Sequence, residues 1–395
     1  MTDQKAHPAY AIVVVEGATQ LVEHVDAWDE LAENALEPNA FYESWALMPA
    51  LRTYARGADL KIVLVYLSPD GTRKEPLLCG FIPLQRRRLH KGLPVAVLEP
   101  WQHLYCFLST PLLRKGHATQ ALDVLFDWLN DDPRGGALLR LNLVSGDGGF
   151  AKALTEVCGR RGRTSYVAQS YCRAVIEPRS DAVSYIREAL AGRHFKEYRR
   201  QERVLAKHGH YERRVLKAGD DIADWAEMFL RLEAKGWKGE QGSALASSPA
   251  DAEYFRQLVH GAAACGKLTM LGLFLDGEPL ALKCNFASGA GSFAFKIAFD
   301  EAYAATSPGV LLELANIELL HDSASTHWMD SCAVAEHPMI NRLWLERRLI
   351  LDQYISTGRA PGDALVALLP LGRWIKRALR QRRNPPNPEI ERELS

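Results

Sequence analysis

Residues 293–320, FAFKIAFDEAYAATSPGVLLELANIELL, carry the most informative pattern of the sequence. It predicts an apolar strand over residues 293–299, a turn at Ser307-Pro308-Gly309 and a helix over residues 310–320. A glycine just before a helix lets another molecule approach the backbone, and the first amides of a helix have no partner within it. Ser307, Gly309 and Val310 therefore predict a site for an anion such as a pyrophosphate. The alternative is an ordinary helix start, with the serine side chain accepting a backbone amide.

A second strand and a polar loop follow this helix. The strand is predicted over Thr326–Val334 and should lie beside the first one, which places Glu336 and His337 close to the anion site. A histidine gains or loses a proton near neutral pH, and a base that takes a proton from the ammonium group of a substrate must do the same. We therefore predict His337 and Glu336 as catalytic residues. A His-Pro loop held by structural hydrogen bonds is the alternative.

The composition excludes several classes of protein. The chain has 395 residues, of which 47% are hydrophobic and 24% charged, so it is long enough for two folded domains. Its 48 basic and 48 acidic residues leave no net charge, which argues against a nucleic-acid partner. Seven scattered cysteines without a CxxC pair argue against a disulfide framework or a zinc site. We expect no metal, no signal peptide, no spanning helix and a cytoplasmic location.

The predicted elements follow the same kind of order in two halves, which indicates an α/β fold. A boundary near Pro178 divides the chain into domains 1–178 and 179–362 and a tail, 363–395. In the first half we predict strands 11–15, 60–67, 77–84, 95–98, 137–144 and 166–176, helices 21–35, 41–54, 118–129 and 150–158, and a turn at 91–94. In the second half we predict strands 211–216, 268–275, 279–287, 293–299 and 326–334, and helices 181–208, 222–234, 250–265 and 310–320. The Asp276-Gly277 turn predicts a hairpin.

Several motifs of the second half occur in an informative order. They are RLEAKGWKG (231–239), the Asp276-Gly277 hairpin, Tyr303 with Ser307-Pro308-Gly309, DSCAV (330–334) and EHP (336–338). Over about residues 181–346 this order resembles the CelD-type branch of the GNAT acyltransferase superfamily. PNAF (38–41) and SW (44–45) resemble the degenerate first unit of the same proteins. Fem-type aminoacyl ligases share this two-unit plan.

The resemblance implies two tandem GNAT-like units, the second of which takes an acyl group from acyl-CoA. Many members carry an Arg/Gln-x-x-Gly-x-Gly/Ala loop where this chain has Ser307-Pro308-Gly309. The turn and Val310 are thereby implied to hold the CoA phosphates. The strand backbone around Ile297 is implied to bind the pantetheine arm.

Two residues after an amphipathic helix are candidates for binding the acceptor. Trp237 and Lys238 lie between Gly236 and Gly239, where they would supply an aromatic wall and a cation. The alternative is a helix end closed by one of these glycines, with Trp237 packed in the core.

Three strand residues are further candidates for substrate binding. Lys296, like Lys283, lies on an apolar strand, where lysine is rarely buried without a partner, so it lines the cleft or reaches its rim. Asp330 and Cys332 should share one face of their strand, because side chains alternate. The alternative for Cys332 is a small buried residue.

The tail predicts a membrane contact. Leu371, Trp374, Ile375, Ala378 and Leu379 have helical spacing, and Arg373, Lys376, Arg377 and Arg380 fall on the opposite face. An apolar face opposite a basic one is typical of a helix at an anionic membrane surface. A helix docked on the protein's own surface is the alternative. The basic run at residues 193–203 is more simply a solvated helix face than a lipid contact, and residues 384–395 are predicted to be disordered.

The favoured function is transfer of an acyl group from acyl-CoA to a primary amine of a membrane lipid. A long-chain (sphingoid) base that becomes a ceramide-type N-acyl lipid fits the basic tail and the family's link to the cell envelope. The enzyme would then be attached peripherally to the inner face of the cytoplasmic membrane through Leu371–Arg380. Acetylation of an envelope polysaccharide, aminoacyl transfer from tRNA and a non-catalytic accessory role are the alternatives.

Overall fold

The structure is a computed structural model that describes residues 9–69, 74–88, 95–190 and 193–383. The turn predicted at residues 91–94 and the disorder predicted for residues 384–395 lie outside this part. Beyond Trp374, the backbone of the C-terminal helix is described but not its side chains. The predictions for Ile375, Ala378 and Leu379 therefore stay predictions.

Thirteen strands form one sheet in the described part. They are β1 (Tyr10–Val15), β2 (Leu60–Leu67), β3 (Leu77–Arg87), β4 (Val97–Pro100), β5 (Leu112–Leu113), β6 (Leu138–Ser145), β7 (Ser165–Ile176), β8 (Tyr211–Val215), β9 (Leu268–Leu275), β10 (Glu278–Ser288), β11 (Gly291–Phe299), β12 (Trp328–Asp330) and β13 (Glu346–Ser356). The α-helices are α1 (Ala18–Leu21), α2 (Val25–Glu33), α3 (Ser44–Tyr54), α4 (Ala118–Asp131), α5 (Gly149–Arg160), α6 (Ala182–Ala189), α7 (Arg193–His208), α8 (Ile222–Lys235), α9 (Trp237–Glu240), α10 (Pro249–Ala264), α11 (Pro308–His321), α12 (Pro338–Leu343) and α13 (Gly362–Arg383).

The order of the strands links the two halves of the chain. It runs β1-β2-β3-β4-β6-β13-β7-β12-β11-β10-β9-β8, with β5 paired to β3. Strand β13, from the end of the chain, pairs with β6 of the first half, whereas β7 of the first half pairs with β12 of the second. Each half therefore places one strand in the sheet of the other. The division at residue 178 stays a prediction about the chain, since the sheet itself is continuous.

The two halves repeat one local plan. In each, two parallel strands separated by a helix meet only at one end: β4 with β6 around α4, and β11 with β12 around α11. Leu143 in β6 and Cys332 just after β12 both have a positive φ, 58° and 54°, which is uncommon for residues other than glycine. This repetition is structural, because no sequence repeat accompanies it.

Most predicted elements are present, and the hairpin at Asp276-Gly277 is confirmed. Both turn residues have positive φ, 51° and 87°, as a type I′ turn requires. The strand predicted over Thr326–Val334 is wrong in length, because β12 ends at Asp330. There the Asp330 carboxylate accepts the backbone N–H of Cys332 at 2.9 Å, and the chain turns. Cys332 thus lies outside the strand, and the alternation that put both side chains on one face does not apply.

The halves also share a core. Phe41 of the first half packs edge-on against Phe293 of β11, with 5.6 Å between the ring centroids. Helix α10 packs against α3, and a Cβ at Gly261 of α10 would come within 3.1 Å of the Trp45 carbonyl oxygen. A glycine is therefore needed at this close approach. Phe41, Trp45 and Phe293 belong to one core cluster, which fixes the first half next to β11.

Candidate functional site

The cleft between β11 and β12 is built by their divergence. The two strands pair from Gly291–Trp328 to Phe293–Asp330. Strand β11 then continues to Phe299, while β12 has ended. Beyond Phe293, this edge of β11 has no strand partner in the described part of the chain. Such an edge offers backbone N–H and C=O groups to an extended ligand.

An irregularity in β11 lies within the cleft. Lys296 pairs with Cys284 and Ala294 pairs with Asn285, so Phe295 is the extra residue of a β-bulge. A bulge leaves the extra residue outside the ladder and re-aims the backbone. The bulge therefore frees backbone groups close to the point where the strands separate.

The turn before α11 differs from an ordinary helix start. Ser307 adopts a left-handed conformation, with φ 51°, and its side chain makes no capping hydrogen bond. Its carbonyl accepts the amides of Val310 and Leu311 at 3.0 and 3.1 Å. The amide of Gly309 donates to no acceptor within the described residues. The capping alternative is thus wrong for the serine side chain, and a free amide remains at the predicted anion site.

Glycine at position 309 serves packing against the neighbouring strand. A Cβ there would lie 3.2 Å from the Phe299 ring of β11. The residue lets α11 approach β11 closely, so a bulky side chain would push the helix start away from the strand.

The predicted acceptor residues meet around a carboxylate that carried no predicted role, Glu233 of α8. The Lys296 ammonium lies 2.8 Å from Glu233 Oε1, and the Lys238 ammonium lies 3.1 Å from it. Glu233 Oε2 accepts the amide of Leu245 at 2.8 Å. Glu233 is 2% exposed, so both lysines are held by a buried anion. The sequence does signal this site. Glu233 follows Phe229 by four residues, so its charge lies on the apolar face of α8.

Lys238 also touches the free edge of β11. Its ammonium donates to the carbonyl oxygen of Ile297 at 3.1 Å. Trp237 is 47% exposed, which excludes the core-packing alternative, and its amide donates to Glu301 at 2.7 Å. The structure thus brings Trp237, Lys238, Lys296 and Ile297 together along one side of the cleft.

The charges of this cluster shift two pKa values. Burial raises the pKa of Glu233, but the charges of Lys296 and Lys238 offset this and leave the pKa lowered overall. Burial lowers the pKa of Lys296, and Glu233 offsets that only in part. A lysine with a lowered pKa close to the cleft loses its proton more readily than an exposed one.

A second buried ion pair lies beneath α11. Lys283 and Glu313 are 2% and 0% exposed, and their charged atoms lie 2.6 Å apart. The prediction that a strand lysine needs a partner holds here, although Lys283 neither lines the cleft nor reaches its rim.

His337 lies at the start of α12, where its ring caps the helix. Its Nδ1 accepts the amide of Ile340 at 3.3 Å. A neutral imidazole that accepts at Nδ1 carries its proton on Nε2. Burial lowers the pKa of His337, and the positive charges of Lys283 and Lys238 act in the same direction against Glu313. His337 is thus neutral near pH 7, but its free lone pair is engaged. Glu336 is exposed beside it.

Asp330 lies at the centre of the sheet. It is 0% exposed and accepts hydrogen bonds from Arg173 of β7 at 2.6 Å and from Arg348 of β13 at 3.0 Å. Arg173 is itself 1% exposed. Burial and the nearby Asp330 charge raise the pKa of the Cys332 thiol far above its usual value, so this cysteine is not a thiolate. Asp330 and Arg173 thus join the two halves of the chain at the point where the cleft begins.

Metal ligation finds no support in the described residues, where no three His, Cys, Asp or Glu side chains converge as ligands would. No helix there is long and apolar enough to cross a bilayer.

Comparison with known proteins agrees with this geometry. Residues 192–333 match the family model described as the acetyltransferase (GNAT) domain. This part of the chain is similar to GNAT acetyltransferase domains. It contains β8 to β12, the free edge of β11 and the start of α11. The prediction of a GNAT-type acyltransferase is confirmed, and GNAT domains take their acyl group from acyl-CoA.

Solved structures share the fold over most of the chain. A crystal structure of FemX has a TM-score of 0.56 at 10% identity, and the match covers 87% of this chain and 98% of that one. A conserved protein of unknown function from Bacteroides thetaiotaomicron has a TM-score of 0.51 at 11% identity, over 88% and 99% of the two chains. A tandem GNAT protein from the clavulanic acid biosynthesis pathway matches with a TM-score of 0.41 at 16% identity, over 89% and 100%. Among curated protein sequences, none matches this chain.

These comparisons confirm the predicted mixed α/β fold and its likeness to GNAT domains. The CelD-type branch stays a prediction.

Proposed function

We propose that the chain is an N-acyltransferase that moves an acyl group from acyl-CoA to the primary amine of a membrane lipid, such as a long-chain base. The main support for an acyl-CoA site is the free edge of β11. It begins near the bulge at Phe295, and the free amide of Gly309 lies beyond its end in the chain. The edge suits the pantetheine arm, and Ser307, Gly309 and Val310 suit the pyrophosphate.

The chemistry needs few groups. The neutral amine attacks the thioester carbonyl, a C–N bond forms, the C–S bond breaks, and the CoA thiolate takes up a proton as it leaves. The amine gives up its own proton to a base. Backbone amides freed by the bulge would stabilise the developing oxyanion, and holding both substrates in one cleft supplies much of the rate.

We propose His337 as the proton acceptor, with Glu336 beside it. Its lowered pKa keeps the ring neutral at physiological pH, as a base requires. To accept the proton, the ring must release the amide of Ile340, whose hydrogen bond is long at 3.3 Å. The lone pair on Nδ1 of His337 can thus either cap the helix or accept the proton, but cannot do both at once.

The lipid acceptor is proposed from the surface of α13. Leu368, Leu371 and Trp374 are 57%, 52% and 67% exposed, although they recur at helical spacing. The first turns of the helix do dock on the sheet, through buried Val366. Leu371 and Trp374, by contrast, are left exposed by the described part of the chain. Their exposure fits a helix whose outer half meets a membrane.

The reaction is tested by incubating the purified chain with acyl-CoA and a sphingoid base in anionic vesicles. Mass spectrometry of the extract should show the N-acyl lipid and an equal amount of free CoA. Free CoA without an acylated lipid would contradict the lipid acceptor. A parallel reaction with polysaccharide would then show whether the sugar alternative holds.

Membrane binding gives a separate prediction. Trp374→Glu should reduce sedimentation with anionic vesicles, because it puts a charge on the apolar face of α13. Added salt should weaken binding of the intact chain, since each basic residue near the surface contributes about 1 kcal/mol. The control Val22→Glu changes an apolar residue of similar exposure, 55%, in the first half and should bind normally. Equal binding of all three proteins would contradict the membrane role of α13.

A further inference from the structure

An unpaired carboxylate lies between the two halves, next to the cleft. Asp251 of α10 accepts the hydroxyl of Tyr54 at 2.8 Å on one oxygen and the hydroxyl of Tyr105 at 2.9 Å on the other. Across the described ranges, no lysine, arginine or histidine forms a direct ion pair with it; Lys296, whose charge interacts with Asp251, is already paired with Glu233. Its charge is also favoured by its place in the first turn of α10. Neither contribution is a direct ion pair, so the carboxylate can still take a cationic partner. Its two phenol partners donate hydrogen bonds but carry no charge.

Aromatic rings surround this carboxylate. Tyr54 packs edge-on against Tyr254 at 5.2 Å between centroids, and Tyr105 stacks on Tyr254 at 5.9 Å. His103 lies parallel to Tyr54 at 5.0 Å. Burial lowers the pKa of His103 to about 3, so this ring stays neutral and does not pair with Asp251 as a cation. The rings come from α3, from the segment after β4 and from α10, and thus from both halves.

The cluster is close to the proposed point of acyl transfer. The Tyr105 ring lies 6.3 Å from the ring of Phe295, the bulge residue of β11. The Lys296 ammonium lies 5.1 Å from the Tyr105 ring centroid on the same side. A group bound at Asp251 would therefore lie beside the thioester end of the cleft and away from the phosphate end.

We propose that Asp251, together with Tyr54, Tyr105, Tyr254 and His103, binds the ammonium group of the acceptor. A carboxylate pairs with the positive charge, and the faces and edges of aromatic rings favour a cation over a neutral group. The ligand class is an aliphatic primary ammonium ion. The identity of this ligand as the acceptor rests on the proposed function, whereas the affinity for an ammonium ion does not.

The test is titration of the intact chain with octylammonium and with octanol, in the absence of acyl-CoA. The wild type should bind octylammonium more tightly than octanol. Asp251→Asn should weaken octylammonium binding about tenfold or more, because a hydrogen bond to a charged group is lost, and should leave octanol binding unchanged. The control Glu253→Gln removes a carboxylate from the exposed face of the same helix, where it contacts Arg256 and Gln257, and should bind as the wild type.

Equal binding of octylammonium by Asp251→Asn and the wild type would overturn the proposal, as would equal binding of octylammonium and octanol by the wild type. If Asp251→Asn does not fold, Tyr54→Leu removes one ring and one hydroxyl from a partly exposed position. This variant should lower octylammonium affinity several-fold, and unchanged affinity would overturn the proposal. Ammonium binding without acyl transfer would contradict the proposed function alone. Normal transfer to an amine with an unchanged KM in Asp251→Asn would contradict this proposal alone.

Discussion

Replacing Asp330 by asparagine should lower the free energy of unfolding by about 3–5 kcal/mol, because the change leaves the buried Arg173 without a counter-charge. Burial alone would lower the pKa of Arg173, and the Asp330 charge is the main contribution that raises it instead. Asparagine keeps the shape of the side chain and its bond to the Cys332 amide, so the loss measured by urea unfolding reports the charge.

The matched control for this variant is Asp352→Asn. Asp352 pairs with Arg140 at 2.8 Å, but both side chains are more exposed, at 20% and 29%. Its loss should cost no more than about 1 kcal/mol. If the two variants are equally stable, Asp330 does not hold the halves together. The prediction that Asp330 binds substrate would then be favoured.

Replacing His337 by asparagine should lower turnover by about 10²–10⁴-fold, which is the usual contribution of a general base. Asparagine is a good helix cap, so it preserves the start of α12 while removing the group that accepts the proton. KM for acyl-CoA should change little. Serine is a second variant of the same kind.

The pH profile separates the two uses of His337. Its pKa lies below the ordinary 6.5, and the ring must be neutral to act as a base. The wild-type kcat should therefore fall on the acidic side, as the ring takes up a proton, and level off toward alkaline pH. The acidic limb should vanish in His337→Asn. Near-normal turnover with an unchanged limb would show that His337 only caps the helix.

Local patterns predicted the donor side of the site well. The strand, the Ser-Pro-Gly turn and α11 follow each other without interruption, so apolar periodicity and turn chemistry were sufficient. The left-handed Ser307 was not predicted, because the 3-10 helix Glu301–Thr306 that ends directly at it was not foreseen.

Strand β13 was missed for a physical reason. Its sequence, ERRLILDQYIS, mixes charged residues into a strand that lies between β6 and β7. These charges are tolerated because partners elsewhere in the chain pair with them: Arg348 with Asp330 and Glu37, and Asp352 with Arg140. The alternation of polar and apolar residues within one segment carries no information about partners so distant in sequence.

The acceptor side was predicted only in part. Trp237, Lys238 and Lys296 were named from their own segments, but the carboxylate that gathers the two lysines was not. Asp251 and its aromatic partners come from separate segments of both halves and meet only through the packing of α10 on α3. No spacing in the sequence signals such a cluster.

We propose that the turn before α11 holds the phosphates of acyl-CoA, and calorimetric titration of CoA into two variants at Ser307 is the sharpest test of this donor site. Aspartate and asparagine both suit a helix start and tolerate a left-handed conformation, so Ser307→Asp and Ser307→Asn should fold alike. Only aspartate repels a pyrophosphate. Ser307→Asn should bind CoA as the wild type does, and Ser307→Asp should bind it about tenfold more weakly or worse. Equal affinity of the two variants, or no binding of CoA by the wild type, would contradict this proposal.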